Sequence, residues 1–259
     1  WITIFKELCR DMLRKRIIPI VLLDGFSVLK TIQFKTRRNL GSPVTVIKTY
    51  NTRNVDELVL LDIDASRQHR AIDKFTIAEI SEECFMPLTV GGGIRSVEDI
   101  AELLRCGADK VVINTVAIEN PEFISQAASL FGSQCIVVSI DVVHTNDGYI
   151  VFNNGIQHPE VDFTSWLLEV EKLGAGEILL NNVSLDGTME GADVNLADMT
   201  ASLVSIPVVY VGGVRDVDDV VKIAKTTVSA IGISSIFHFT NATPKDCSEA
   251  LKLRGIPAR

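Results

Sequence analysis

The chain has 259 residues, of which 47% are hydrophobic, and carries a formal net charge of -8. That length suits one large closed fold better than two ordinary domains, and the apolar content is enough for a substantial core. The acidic balance excludes a general nucleic-acid binder, and no apolar run approaches the ~18 residues of a membrane span.

Residues 1–11 lack the basic segment, apolar core and small-residue cleavage site of a secretory signal. Met12 opens a run into the first strand and reads as a natural start. Residues 1–11 are therefore expected to be an upstream extension, and 12–259 a single domain. Eight short apolar runs follow, at 16–23, 57–63, 88–90, 110–114, 135–141, 177–181, 207–211 and 230–233. Runs such as Ile136-Val137-Val138-Ser139-Ile140 are nearly continuous in β-formers, the pattern of parallel strands covered on both faces. Helical patterns separate them. After the third run, Ser96 and Asp99 form a capping box, Val97, Ile100, Leu103 and Leu104 make an apolar stripe, and Gly107 supplies a left-handed stop. Eight alternations predict a parallel α/β fold that closes as a (β/α)8 barrel. Two connections are longer. Residues 30–42, carrying Lys30, Lys35, Arg37 and Arg38, read as a mobile lid or a solvated basic loop. Residues 143–159 carry Asn-Asp-Gly and Asn-Asn-Gly signals for a hairpin. Both belong to the C-terminal face, where barrels of this kind keep their sites.

The chain also repeats itself. An offset of 120 residues carries Gly92-Gly93-Ile94-Arg95 onto Gly212-Gly213-Val214-Arg215, Pro87 onto Pro207, Glu57 onto Glu177, and Ile113-Asn114-Thr115 onto Ile233-Ser234-Ser235. Two equivalent halves are implied, each with a glycine turn that lets backbone approach an anion. Gly93 with Asn114 and Thr115, and Gly213 with Ser234 and Ser235, are candidate phosphate grips. The plain alternative is that the glycines only permit tight turns.

Asp141 ends an apolar strand and is the strongest acid-base candidate; Asp62, Asp64 and Asp186 also end strands or follow them. Arg16, Glu57, Lys110 and Glu177 each begin a strand, which gathers them at the opposite mouth, where a sealing salt-bridge ring is the simplest reading. The five cysteines are scattered without CxxC spacing, as in reduced thiols of a cytosolic protein, and the four histidines lack metal-ligand spacing. No metal, cofactor or dinucleotide fingerprint is expected.

Taken together these residues resemble the HisF family, the cyclase subunit of imidazole glycerol phosphate synthase. The likeness runs from Met12 to Arg259. Its specific pieces include Lys15-Arg16-Ile17-Ile18-Pro19, Asp56-Glu57-Leu58-Val59-Leu60-Leu61-Asp62-Ile63, Leu88-Thr89-Val90-Gly91-Gly92-Gly93-Ile94-Arg95-Ser96, Phe131-Gly132-Ser133-Gln134-Cys135, Asp186-Gly187-Thr188 and Phe237-His238-Phe239. The resemblance implies a barrel paired with a glutaminase, whose ammonia enters at the bottom and meets a substrate with two phosphates at the top. It assigns the two grips above to those phosphates, Lys30 and Asp186 to substrate binding, and Asp141 to catalysis. Arg16, Glu57, Lys110 and Glu177 become a charged gate at the ammonia entrance.

One position departs from the family. A second catalytic aspartate belongs in a Pro-Cys-Leu-Asp-Val pattern on the first strand, where this chain has Pro19-Ile20-Val21-Leu22-Leu23. Asp24 would lie roughly 6–7 Å higher on the same side, at about 3.3 Å per residue. Ser184 and Val211 replace further polar site residues. These changes, with Val28-Leu29-Lys30-Thr31, Asp62-Ile63-Asp64-Ala65-Ser66 and Glu83-Cys84-Phe85-Met86-Pro87, resemble a HisF paralogue group serving acetamidino-sugar formation beside a sugar amidotransferase. The end of the chain, 236–259, is closer to the ordinary cyclase. Three readings stay open: an ammonia-channelling paralogue, the histidine-pathway cyclase with Asp24 or Asp186 standing in, and a non-catalytic scaffold that activates the glutaminase. The related isomerase that acts alone is disfavoured by the full gate set.

Overall fold

A computed structural model of the chain describes residues 14–53, 55–146 and 148–259. The expected start at Met12, the extension 1–11 and Cys9 lie outside them. In chain order the strands are β1 (Arg16–Leu23), β2 (Val28–Ile32), β3 (Thr36–Gly41), β4 (Leu58–Asp62), β5 (Leu88–Gly91), β6 (Lys110–Ile113), β7 (Ile136–Thr145), β8 (Gly148–Asn153), β9 (Ile156–His158), β10 (Glu177–Asn182), β11 (Val208–Val211) and β12 (Ala230–Ile233). Strands β1, β4, β5, β6, β7, β10, β11 and β12 pair in parallel. The ring closes through β12 with β1 and β7 with β10, giving a (β/α)8 barrel.

The described helices are α1 (Pro43–Thr52), α2 (Lys74–Glu83), α3 (Val97–Arg105), α4 (Thr115–Glu119), α5 (Glu122–Phe131), α6 (Phe163–Lys172), α7 (Val194–Leu203), α8 (Val217–Ala224), α9 (Ser235–Phe239) and α10 (Pro244–Leu253). The box expected at α3 is present in both directions, with Ser96 accepting from the Asp99 amide and Asp99 from the Ser96 amide. Gly107 beyond it has φ of 103°. None of these helices is long and apolar enough to cross a membrane. Cys84, Cys106, Cys135 and Cys247 are free thiols.

Both long connections are hairpins. Residues 143–159 behave as their turn signals indicate, with β8 and β9 folding back on β7. The connection at 30–42, read from sequence as a mobile lid or a solvated basic loop, is an ordered hairpin: β2 folds back on β1, and β3 pairs with β2. Polar and basic residues interrupt every apolar run here, so the sequence shows no clear strand pattern. The two hairpins extend the first and fifth barrel strands, so the internal repeat reaches beyond the barrel.

Strand periodicity sorts the core into two layers. On β1, Ile17, Val21 and Leu23 face the helices, while Ile18, Ile20 and Leu22 fill the barrel. The same alternation puts Val59, Val112, Val137, Leu179, Val209 and Val211 inside. Inward parity then decides which polar residues share the two mouths of the barrel.

Candidate active site

Counting upward in steps of two from inward residues leads to the top cavity. From Val112 the step reaches Asn114, from Val137 it reaches Ser139 and Asp141, and from Leu179 it reaches Asn181; all four line one cavity. Leu22, Lys30, Gly92, Gly93, Thr115, Asp186 and Ser234 line it too. Gly213 and Ser235 fall outside that lining. The cavity thus combines the whole first grip with Ser234 alone from the second.

Asp141 stands on the polar wall. Asn114 Nδ2 donates to its Oδ2 at 2.7 Å and Asn181 Nδ2 to its Oδ1 at 3.2 Å. Burial pushes its carboxyl up to about 6, against the hydrogen bonds from Asn181 and Asn114 and with some help from the Asp186 charge. A group so placed can hold or release a proton near neutral pH. Asn181 Oδ1 is buried and has no hydrogen-bond partner among the described residues. An unpaired acceptor beside a carboxyl whose proton affinity burial has raised invites an N–H donor.

The opposite wall is apolar. Leu22 packs with Ile20, Leu29, Leu61 and Ile63 and is 7% exposed. Asp24 does not replace the missing carboxylate: it lies exposed past the end of β1, accepts from the Ser27 amide, and faces a separate surface hollow with Phe26 and Arg70. The strand ends at Leu23 and the chain turns, so the two-residue step that would have kept Asp24 on the inner face is broken. Asp186 does line the cavity, but its oxygens are engaged by Lys30 Nζ at 3.2 Å and Thr31 Oγ1 at 2.8 Å. Lys30 is itself buried, so this pair anchors the β2–β3 hairpin to the loop after β10.

The hairpin crosses the mouth and touches its rim on several sides. Arg37 binds both oxygens of Asp64, Phe34 packs on Phe152 of β8, and Arg38 lies 5.6 Å from the Phe239 ring centre. The Gln33 side chain donates to the Ser184 carbonyl at 2.8 Å. Asp62 is occupied by Arg70 and by the amides of Asp64 and Ala65. Neither Asp62 nor Asp64 is therefore a free catalytic carboxylate.

The paired glycine turns match in detail. A Cβ on Gly93 would lie 1.9 Å from the Arg70 carbonyl oxygen, and one on Gly213 would lie 2.2 Å from that of Gly191. Gly92 and Gly212 have φ of 129° and 116°. Glycine is required here by the turns themselves, whatever they bind. On the first side, Thr115 Oγ1 donates to Asn153 Oδ1 and Asn153 Nδ2 to Asn114 Oδ1, tying the grip to the β8–β9 hairpin.

At the other mouth the charges at the starts of β1, β6 and β10 and just before β4 form a closed ring. Arg16 reaches Glu57 at 2.8 Å and Glu177 at 2.5 Å, and Lys110 reaches the same two at 3.3 and 2.9 Å. Burial pushes Glu57 up, but Arg16 and Lys110 hold it below the usual carboxylate range. Sequence reasoning missed Asn181, Asn153, Asn154 and Arg67. For Asn181 the signal was available, since it stands two residues after inward Leu179. The hairpin residues had none, because their strand pairing decides where they point.

A family model described as histidine biosynthesis protein matches residues 16–243. The chain is 43% identical over 250 residues to a Campylobacter jejuni protein carrying the provisional name imidazole glycerol phosphate synthase subunit hisF2, covering 96% of this chain and 99% of that one. It is 42% identical to the imidazole glycerol phosphate synthase subunit HisF of Dictyoglomus thermophilum, again over 96% and 99% of the two chains. It is 43% identical to the HisF subunit of Lactococcus lactis subsp. cremoris, over 96% and 97%.

Proposed function

Because the chain belongs to the histidine biosynthesis protein family, as a HisF-type barrel, we propose that it is the ammonia-using subunit of a glutamine amidotransferase pair. In this reading a glutaminase docks on the bottom mouth, and ammonia passes the Arg16–Glu57–Lys110–Glu177 ring. It crosses an interior of Ile18, Val59, Val112, Val137 and Leu179, apolar surroundings that favour neutral ammonia over ammonium. It then reaches a phosphorylated, bisphosphate-type substrate at the top. Asn181 Oδ1 receives an N–H of the arriving ammonia, and Asp141 exchanges a proton with it or with the substrate. Lys30, Gly93, Asn114, Thr115, Asp186, Gly213, Ser234 and Ser235 hold or frame the substrate. The observation that carries the reading is that the charged ring and the Asp141 cavity occupy the two ends of one barrel interior.

The further step is that the chain serves amidination of a sugar, beside a sugar amidotransferase, and not ordinary cyclisation. Leu22 supports it: ordinary cyclisation uses a second carboxylate where this wall is apolar. The competing reading, a histidine-pathway cyclase, is favoured by the names of the Dictyoglomus and Lactococcus relatives. The test is to assay the purified chain with its glutaminase on the family's bisphosphate substrate. Glutamine-dependent ammonia release with little cyclised product, restored to useful transfer by a sugar amidotransferase, supports the paralogue. Full cyclisation overturns it, and no complex with the glutaminase overturns the amidotransferase reading altogether.

A further inference from the structure

We propose that Arg67 makes the two phosphate half-sites unequal, supplying the first with a cation that the second lacks. The inference rests on the reading that the top cavity takes a phosphorylated ligand. Three cationic side chains line the cavity: Lys30, Arg37 and Arg67. Lys30 is paired with Asp186 and Arg37 with Asp64. No carboxylate among the described residues lies within ion-pairing distance of Arg67, although Asp64 feels its charge at longer range. Arg67 stands at the mouth across from the β8–β9 turn, its guanidinium 3.8 Å from where a Gly155 Cβ would be. That turn is tied to the first grip, through Asn154 Nδ2 to Thr115 Oγ1 at 3.4 Å. An anion seated against the first glycine turn and Thr115 therefore meets a guanidinium whose charge is not already spent.

The second half has no room for such a residue. The offset of 120 carries Arg67 onto Gly187. The correspondence holds nearby in space: a Cβ on Gly93 would meet Ala65, and one on Gly213 would meet Leu185, each at 2.9 Å. Gly187 has φ of +72°, and its own Cβ would lie 2.1 Å from the Thr31 carbonyl oxygen. The hairpin that crosses the mouth thus occupies the space in which a second arginine would sit. The ligand has a strongly charged phosphate end in the first half. Its other end meets Ser234, and the cation on that side, Lys30, is already paired with Asp186.

The probe is inorganic phosphate, titrated at low ionic strength into the full chain and followed by calorimetry or phosphorus NMR. Arg67 is exposed and makes no side-chain hydrogen bond among the described residues, so Arg67→Ala should fold normally. The wild type should show a tighter and a weaker site. Arg67→Ala should weaken the tighter one roughly tenfold or more, the weight of a charge-assisted hydrogen bond, and Arg67→Lys should recover part of it. Ser234→Ala should affect only the weaker site. Binding unchanged in Arg67→Ala would overturn the role of Arg67 while leaving the phosphate reading standing. Absence of phosphate binding in the wild type at millimolar concentration would overturn both.

Discussion

Leu22 and Asp141 occupy equivalent places in the two halves of the barrel. Leu22 pairs with Leu61 on the neighbouring parallel strand and Leu29 on its hairpin; Asp141 pairs with Asn181 and Phe152 in the same way. One half therefore presents two leucines where the other presents a carboxylate and an amide. Of the three carboxylates that line the cavity, Asp62 is paired with Arg70 and Asp186 with Lys30, while Asp141 has no cationic partner among the described residues. Leu22→Asp should raise ammonia-dependent turnover of the family's bisphosphate substrate, by the 10²–10⁴-fold typical of one general acid or base. It should also cost about 1–3 kcal/mol of stability, because the new carboxylate enters an apolar patch without a partner. Steady-state rates with ammonium salts and a urea midpoint check both. Unchanged turnover in a folded variant would show that Leu22 is not what limits cyclisation.

The raised carboxyl of Asp141 has a consequence for stability. Its folded value, about 6, lies above the unfolded value near 3.8, so the folded state binds more protons in between. Stability contributed by this group is therefore present at low pH and falls as pH rises from about 4 to about 6, by on the order of 2–3 kcal/mol. Glu57 and Asp64 act with the opposite sign. Burial pushes Glu57 up but Arg16 and Lys110 win, and the Arg37 hydrogen bond lowers Asp64; their contributions fade on acidification. The difference between wild type and Asp141→Asn isolates the aspartate. Denaturation midpoints at pH 4, 5, 6 and 7 should favour the variant increasingly toward pH 7. A constant difference would mean that the native carboxyl titrates normally.

The barrel was legible because its signals are periodic. Apolar runs of the right length, alternating with capped helices such as α3, leave little choice of architecture. The 120-residue repeat located both glycine turns, and strand-initial charges located the ring. The site was less legible where function depends on which way a short segment folds. Asp24 looked inward by counting, yet β1 ends one residue earlier and the side chain turns to solvent. Asp186 was one candidate for the missing acid, but Lys30 and Thr31, more than 150 residues away in sequence, engage it. Residues 30–42 carry no strong strand pattern; tertiary pairing with β1 makes them a hairpin.

That hairpin is held at its edges by side chains, so its mobility should respond to them individually. Arg37→Ala removes the bidentate contact with Asp64, and Phe34→Ala removes the ring contact with Phe152. Amide exchange across residues 28–41 should speed up a few-fold to about tenfold in each variant, with the larger effect when both are combined. The global denaturation midpoint should move little, since the barrel core is untouched. Unaltered exchange in the double variant would place the hairpin's anchorage in its remaining contacts, the buried Lys30–Asp186 pair, Gln33 to Ser184 and Arg38 on Phe239.

The ring at the bottom mouth makes the sharpest separation between structure and function. Each glutamate is held by two cations, and each cation by two glutamates, so removing one member leaves both of its partners with a single contact. A plain seal predicts only lost stability when Lys110 is replaced by Ala, of a few kcal/mol for a partly buried pair. An ammonia gate predicts something further. Substrate binding at the top should be nearly unchanged, because the apolar interior separates the two ends. Glutaminase docking should persist, while the ratio of glutamate released to product formed rises above one as ammonia escapes to solvent. Lys110→Met, which keeps the stem and loses the charge, controls for packing. Titration of each variant with the glutaminase, followed by both product assays, reads the two quantities separately. A ratio that stays at one in Lys110→Ala and Lys110→Met, with stability reduced, would reduce the ring to a seal.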